Sequence, residues 1–167
     1  MYEAERKKFY NQLEKVDVLI VGESRPNGGT FFYFKDSILY KYIREEMARY
    51  TRLNFYSFDC LNFMKLNNIF LDDLNLEPVN HLPARVRAEK NRNAVGNFSE
   101  RLKSYKPRVI ICVVKCIIRE ITNAINLSGT NPEKVFFVSF PAQGQQNNFR
   151  REFYEALNGA LPNYKLS

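Results

Sequence analysis

An α/β fold built on a parallel sheet is what this sequence predicts, and three observations carry the prediction. Four short apolar runs, at 16–22, 69–74, 109–114 and 135–140, are rich in β-branched and aromatic residues and too short for buried helices. Stretches with helical spacing separate them, and such alternation implies parallel βαβ units. The first and third runs, VDVLIVG and VIICVV, are apolar with hardly a break, as in strands covered on both faces. The expected architecture is a three-layer helix–sheet–helix sandwich around a four-stranded parallel sheet, one domain over residues 1–167.

Each element has its own justification. Residues 1–15 (MYEAERKKFYNQLEK) are charged and helix-compatible, a short amphipathic lead-in. The first strand ends at Gly22, and Glu23-Ser24-Arg25-Pro26-Asn27-Gly28-Gly29 is too rich in turn formers to continue it. After the aromatic cluster Phe31–Phe34, Leu39, Tyr42, Ile43 and Met47 fall at i, i+3, i+4 and i+8, one apolar helical face. Residues 51–67 are ambiguous, with room for a short helix within Phe55–Leu66. The second strand, Ile69–Leu74, ends in acidic residues, and Glu77–Pro83 is a loop. Arg85–Tyr105 reads as one helix or two short ones, basic on its open face and closed by Lys106-Pro107. Beyond the third strand, Ile117, Ile118, Ile121 and Ile125 give helical spacing over Cys116–Asn126, and Ser128–Pro132 is a turn. The fourth strand is Val135–Phe140 and Pro141–Gln146 a polar loop. Asn147 or Asn148 is expected to cap a last helix, Phe149–Leu157, with Phe149, Phe153, Ala156 and Leu157 facing inward.

At 167 residues and 45% hydrophobic content the chain can bury a real core. Its net charge of +7 is compatible with nucleic acid or other anionic surfaces. Most of that charge is local: between His81 and Arg108 stand eight Lys/Arg against two Glu, a net of +6. Three cysteines (Cys60, Cys112, Cys116), with no CxxC pair and no Cys/His cluster, exclude a disulfide framework and offer no metal-ligand spacing. Neither metal nor cofactor is expected. No N-terminal signal pattern and no apolar run near 18 residues appear. A cytoplasmic, soluble monomer without membrane contact is the expectation.

Function is concentrated in Val16–Tyr33. A carboxylate, flexible backbone and aromatic faces converge there at the carboxyl end of a central strand, where open α/β sheets bind ligands. Four pieces then stand in order: VLIVGESRPNGGTFFY, IFLDDLNLEPVN, FSERLKSYKPRVIICV and VFFVSFPAQGQQNNF. Together they resemble the uracil-DNA glycosylase superfamily, in its compact prokaryotic branches, over roughly residues 16–157. Gly22-Glu23-Ser24-Arg25-Pro26 is similar to the family's G-E-A-P-G, with the proline shifted by one. Asp72 or Asp73 stands where the middle strand usually ends in a base-reading Asn. Lys106-Pro107-Arg108-Val109-Ile110 matches K-P-x-V-I. Phe140-Pro141-Ala142-Gln143-Gly144 stands where the family has H-P-S-x. The iron–sulfur cysteines of one branch are absent, so no cluster is expected.

The resemblance implies a DNA partner and hydrolysis of the N-glycosidic bond of a damaged or deaminated base, flipped out of its stack. Phe32 is the first candidate for the stacking platform, with Phe31 and Tyr33 beside it and at least one of the three in the core. Gly22, Asp73 and Asn80 complete the base surroundings. Glu23 is the carboxylate placed to orient water and steady the sugar cation. An Asn both donates and accepts, whereas an ionised Asp only accepts. Asp72 or Asp73 therefore implies a substrate other than uracil, a catalytic carboxylate (Asp72), or a structural group bonded to the Pro78–Asn80 loop. Phe140 replaces the family's base-donating His, leaving Gln143, Gln145 and backbone N–H groups around Pro141 and Gly144 as donors. His81, the sole histidine, is expected to face solvent. Arg85, Arg87, Lys90 and Arg92 would track DNA phosphates. The Gln143–Asn148 loop, placed for the minor groove, lacks a large apolar wedge. The alternative reading is a non-catalytic nucleic-acid or nucleotide-binding module on the same fold.

Overall fold

A computed structural model describes residues 1–162 and Tyr164. The elements run α1 (Tyr2–Tyr10), β1 (Val18–Gly22), α2 (Ile38–Thr51), α3 (Cys60–Leu66), β2 (Ile69–Asp73), α4 (Ala84–Tyr105), β3 (Val109–Cys112), α5 (Ile118–Ser128), β4 (Lys134–Phe137) and α6 (Gln146–Ala160). Single 3₁₀ turns stand at Phe32–Phe34 and Lys115–Ile117. The sheet is wholly parallel in the order β2-β1-β3-β4, with Ile20 abreast of both Leu71 and Ile111. Every residue of β1, β2 and β3 is buried, which is why those runs lack the alternation of a half-exposed strand. The chain leaves β1 for one neighbour and later returns to its other side. The carboxyl ends of β1 and β3 therefore border the topological switch point, where such sheets open a crevice.

Local chemistry sets the helix ends. The Ser37 hydroxyl accepts the Tyr40 N–H (3.1 Å) and the Asp59 carboxylate the Asn62 N–H (3.2 Å), capping α2 and α3. α4 is a single helix of 22 residues rather than two, turned inward through Asn91, Phe98, Ser99 and Leu102. It stops at Lys106, whose φ of 47° breaks the helix before Pro107. Three expectations shift at their edges. β4 ends at Phe137, so Phe140 lies outside the sheet. α5 begins only after the 3₁₀ turn, which leaves Ile118 39% exposed while Ile117 and Ile121 are buried. α6 begins at Gln146, before either asparagine, and the Asn148 side chain donates back to Gln145 instead of capping. Its inner stripe is as expected, with Phe149, Phe153, Ala156 and Leu157 all buried. Gly159 permits that packing: a Cβ there would lie 2.4 Å from the Phe136 ring.

The aromatic cluster after β1 is core. Phe31, Phe32 and Tyr33 are all buried, packed on one another and on Phe9, Tyr40 and Phe70. Tyr33 has a structural role in the core. Its hydroxyl donates to the Leu71 carbonyl (2.6 Å) and accepts the Leu71 N–H (3.0 Å), completing the backbone of β2 at the edge of the sheet. Tyr33→Phe keeps the ring but strands both groups in the interior. An unfolding free energy lower by about 2–3 kcal/mol in urea titration is expected, and a loss below about 0.5 kcal/mol would mean water replaces the hydroxyl.

Candidate functional site

The carboxyl ends of β1 and β2 are knitted beyond the strands themselves. The Leu74 N–H donates to Gly22 O (2.9 Å) and the Asn75 N–H to Glu23 O (2.8 Å). Gly22 is required here, because a Cβ on it would lie 2.4 Å from Asp73 Oδ1. The loop after Gly22 is tied to the loop after β2. Ser24 Oγ accepts the Val79 N–H (3.1 Å), and Asn80 Oδ1 accepts the Asn27 N–H (3.3 Å). Asn80 thus clasps two loops, and the Pro78–Asn80 segment bonds Ser24 and Asn27 rather than Asp72 or Asp73.

Above these strand ends lies a narrow slot of about 50 Å³, bordered by Ser24, Arg25, Pro26, Phe31, Phe32 and Asp73, with Leu39 and Leu71 deeper in. Phe140 and Ile38, 36% and 46% exposed, form its apolar mouth. Three segments far apart in sequence meet here: the loop and aromatics after β1, the last residue of β2, and Phe140 beyond β4. Gln143, Gly144 and Gln145 are exposed and do not line the slot, and Pro141 is buried beside them. Gln143 and Gly144 have φ of 53° and 81°, so that segment is a tight turn.

Asp73 is the carboxylate of the slot. Burial pushes its carboxyl up to about 6, Asp72 beside it adds to the rise, and the guanidinium of Arg6 opposes it. Arg6, itself buried, reaches from α1 to donate to Asp73 Oδ2 (2.8 Å), and it lies 3.3 Å from Asp72 Oδ1. Tyr2, on the same helix, packs on Phe31, carries Arg25 over its ring at 4.0 Å and donates to Gly29 O. α1 therefore straps the loop after β1 to the sheet.

Asp72 does not reach the slot. It accepts from Arg101 and from the Tyr105 hydroxyl (2.8 Å), both on α4, so its carboxylate is a buried structural anchor. Its placement departs from the catalytic role read in the sequence, because both oxygens face cations or a phenol. Glu23 also turns from the slot. It is 7% exposed, paired in a two-point contact with Arg87 (Nε to Oε1 2.7 Å), and held by Asn91 Nδ2 (2.8 Å). Asn75 in turn fixes Asn91 (2.6 Å). The thiol of Cys116, at the switch point beyond β3, lies 3.9 Å from Glu23, and burial followed by the Glu23 charge pushes it up. Arg87 is thus engaged with Glu23, whereas Arg85, Lys90 and Arg92 on the same helix are exposed. His81 is exposed too.

Sequence reasoning missed Arg6, Asn91 and Arg101. One signal was present: two consecutive carboxylates end an otherwise apolar strand, and such a pair needs buried cations. No family model and no curated protein matches this chain. Among the described residues no helix is long and apolar enough to cross a membrane.

The raised Asp73 carboxyl has a pH signature. Its folded pKa lies above the ordinary 3.8, so between about 4 and 6 the folded state holds the proton more tightly than the unfolded one. Its contribution to stability therefore falls as pH rises through that window. The stability gap between wild type and Asp73→Asn is expected to move in favour of the variant by about 2–3 kcal/mol from pH 4 to pH 6.5. Parallel unfolding curves across that range would contradict the assignment.

Proposed function

We propose that this chain is a DNA-glycosylase-type domain that takes an unstacked base into the slot at the carboxyl ends of β1 and β2. The observation that carries the reading is the meeting of Ser24–Pro26, Phe31, Phe32, Asp73 and Phe140 around one slot. Aromatic faces supply sequence-tolerant stacking. Phe140, at the mouth, is the ring an incoming base meets first, while Phe31 and Phe32 form the buried wall. Asp73 stands where hydrogen bonding to a base edge is needed, and its raised pKa gives it access to a protonated form that donates as well as accepts. At about 50 Å³ the slot is smaller than a nucleobase, so a base enters only as Phe140 and Ile38 at its mouth move apart. Exposed Arg85, Lys90 and Arg92 on α4 supply phosphate contacts, and Glu23 is the carboxylate for the hydrolytic step.

One observation favours the second reading, a non-catalytic nucleic-acid or nucleotide-binding module. Glu23 is bonded to Arg87 and Asn91 and does not border the slot.

Base release from oligonucleotides carrying uracil, hypoxanthine or alkylated bases separates the two. The enzyme reading expects release in equal amount to the abasic product, falling about 10²–10⁴-fold in Glu23→Gln. Phe140→Ala, at an exposed ring, is expected to leave the fold intact and weaken binding of an unpaired base by about 5- to 100-fold, from about 1–3 kcal/mol of stacking. No release on any base with the Phe140 effect intact selects the binding module. Neither effect removes the slot from consideration.

A further inference from the structure

Two residues that the sequence assigns to different tasks are bonded to each other. Glu23 has the position of the hydrolytic carboxylate, and Arg87 belongs to the basic stretch of α4. In the structure Arg87 closes on Glu23 through Nε and Nη2, the two-point geometry it would use for a phosphate. We propose that Glu23 stands in for a nucleic-acid phosphate in the free protein, and that binding of a phosphodiester draws Arg87 away and uncovers the carboxylate. The inference rests on the nucleic-acid reading above and adds a regulation of the same site.

Three features fit an exchange better than a fixed structural pair. The partners differ in access: Glu23 is 8% exposed in its side chain and Arg87 34%, so solvent and ligand reach the arginine first. Arg87 shares a helix face with exposed Lys90 three residues on, so a phosphate approaching that face of α4 meets Arg87 beside a second cation. Glu23 also keeps a partner when Arg87 leaves. Asn91, itself held by Asn75, still donates to Oε1 and would hold the carboxylate in place beside the switch point. The pair at Asp72 offers the contrast. There Arg101 is 18% exposed and also donates to the carbonyls of Asp73 and Leu74, which roots it in the fold.

The exchange is electrically balanced. One anion replaces another on Arg87, and the released negative charge remains on Glu23, held by Asn91 at the carboxyl end of β1. A domain built this way keeps its hydrolytic group masked until a strand lies along α4.

Binding of an undamaged oligonucleotide, single-stranded and as a duplex, tests this without any need for turnover. Glu23→Gln removes the internal competitor and frees Arg87. Its affinity is expected to rise about tenfold at low salt, with a salt slope steeper by about one phosphate contact. Arg87→Gln is expected to weaken binding and flatten the slope. The double variant, which buries no unpaired charge and guards against misfolding of Arg87→Gln, is expected to match Arg87→Gln. Unchanged affinity and slope in Glu23→Gln overturn the exchange. If serine at Arg85, Lys90 and Arg92 weakens binding while the Glu23 and Arg87 variants do not, the nucleic-acid reading stands and the exchange falls. If no variant and no wild-type protein binds in a salt-dependent way, both fall.

Discussion

The constraint on which the rest of the molecule depends is the burial of two adjacent carboxylates, Asp72 and Asp73, at the end of an apolar edge strand. Isolated charges in that position would cost several kcal/mol each. Arg6 from α1 and Arg101 from α4 balance them two against two, with Tyr105 adding a donor. A single charge cluster therefore joins the N-terminal helix, the second strand and the long helix. It also decides which of the two carboxylates faces the slot. Asp72 is consumed by α4, and Asp73 alone looks into the slot, with Gly22 made necessary by its close approach.

A second consequence concerns α1. A short helix rich in Lys and Glu would be marginal by itself in water. It is held by what it plugs: Arg6 in the carboxylate cluster, Phe9 on Tyr33 and Phe70, and Tyr2 on Phe31 and Phe34. The loop of the first motif is in turn held by Tyr2 through Arg25 and Gly29. The slot and the start of the chain are thus one mechanical unit.

Much of this fold was legible in the sequence, because strands covered on both faces must be written as unbroken apolar runs. VLIV and VIIC admit hardly any other reading. The loop after β1 and the polar end of β2 were legible for a similar reason: turn formers and carboxylates have no packing excuse at the end of a core strand. Partnership was not legible. Arg87 sits among Arg85, Lys90 and Arg92 and carries no local mark that its guanidinium turns inward to Glu23, 64 positions away. Arg6 looked like one more charge in a polar lead-in. The cap of α6 was misplaced because Asn147 and Asn148 fit both a cap and an exposed helical turn. That at least one of Phe31, Phe32 and Tyr33 is core was legible, but not which, because a tyrosine beside two phenylalanines reads equally as a platform or as a core residue with a polar tip.

That polar tip has a further meaning for how the sheet ends. A strand at the rim of a parallel sheet presents free N–H and C=O groups, and these invite another extended segment to join. On the β2 side the Tyr33 hydroxyl occupies both groups of Leu71, and the ring, backed by Phe9 and Phe31, fills the lane where a fifth strand would run. A phenol there acts as a molecular full stop. Growth of the sheet by a second chain, whether as an ordered partner or as the first step of aggregation, is closed off along β2 and left to the β4 margin, whose Lys134 and Glu133 place charge at its opening.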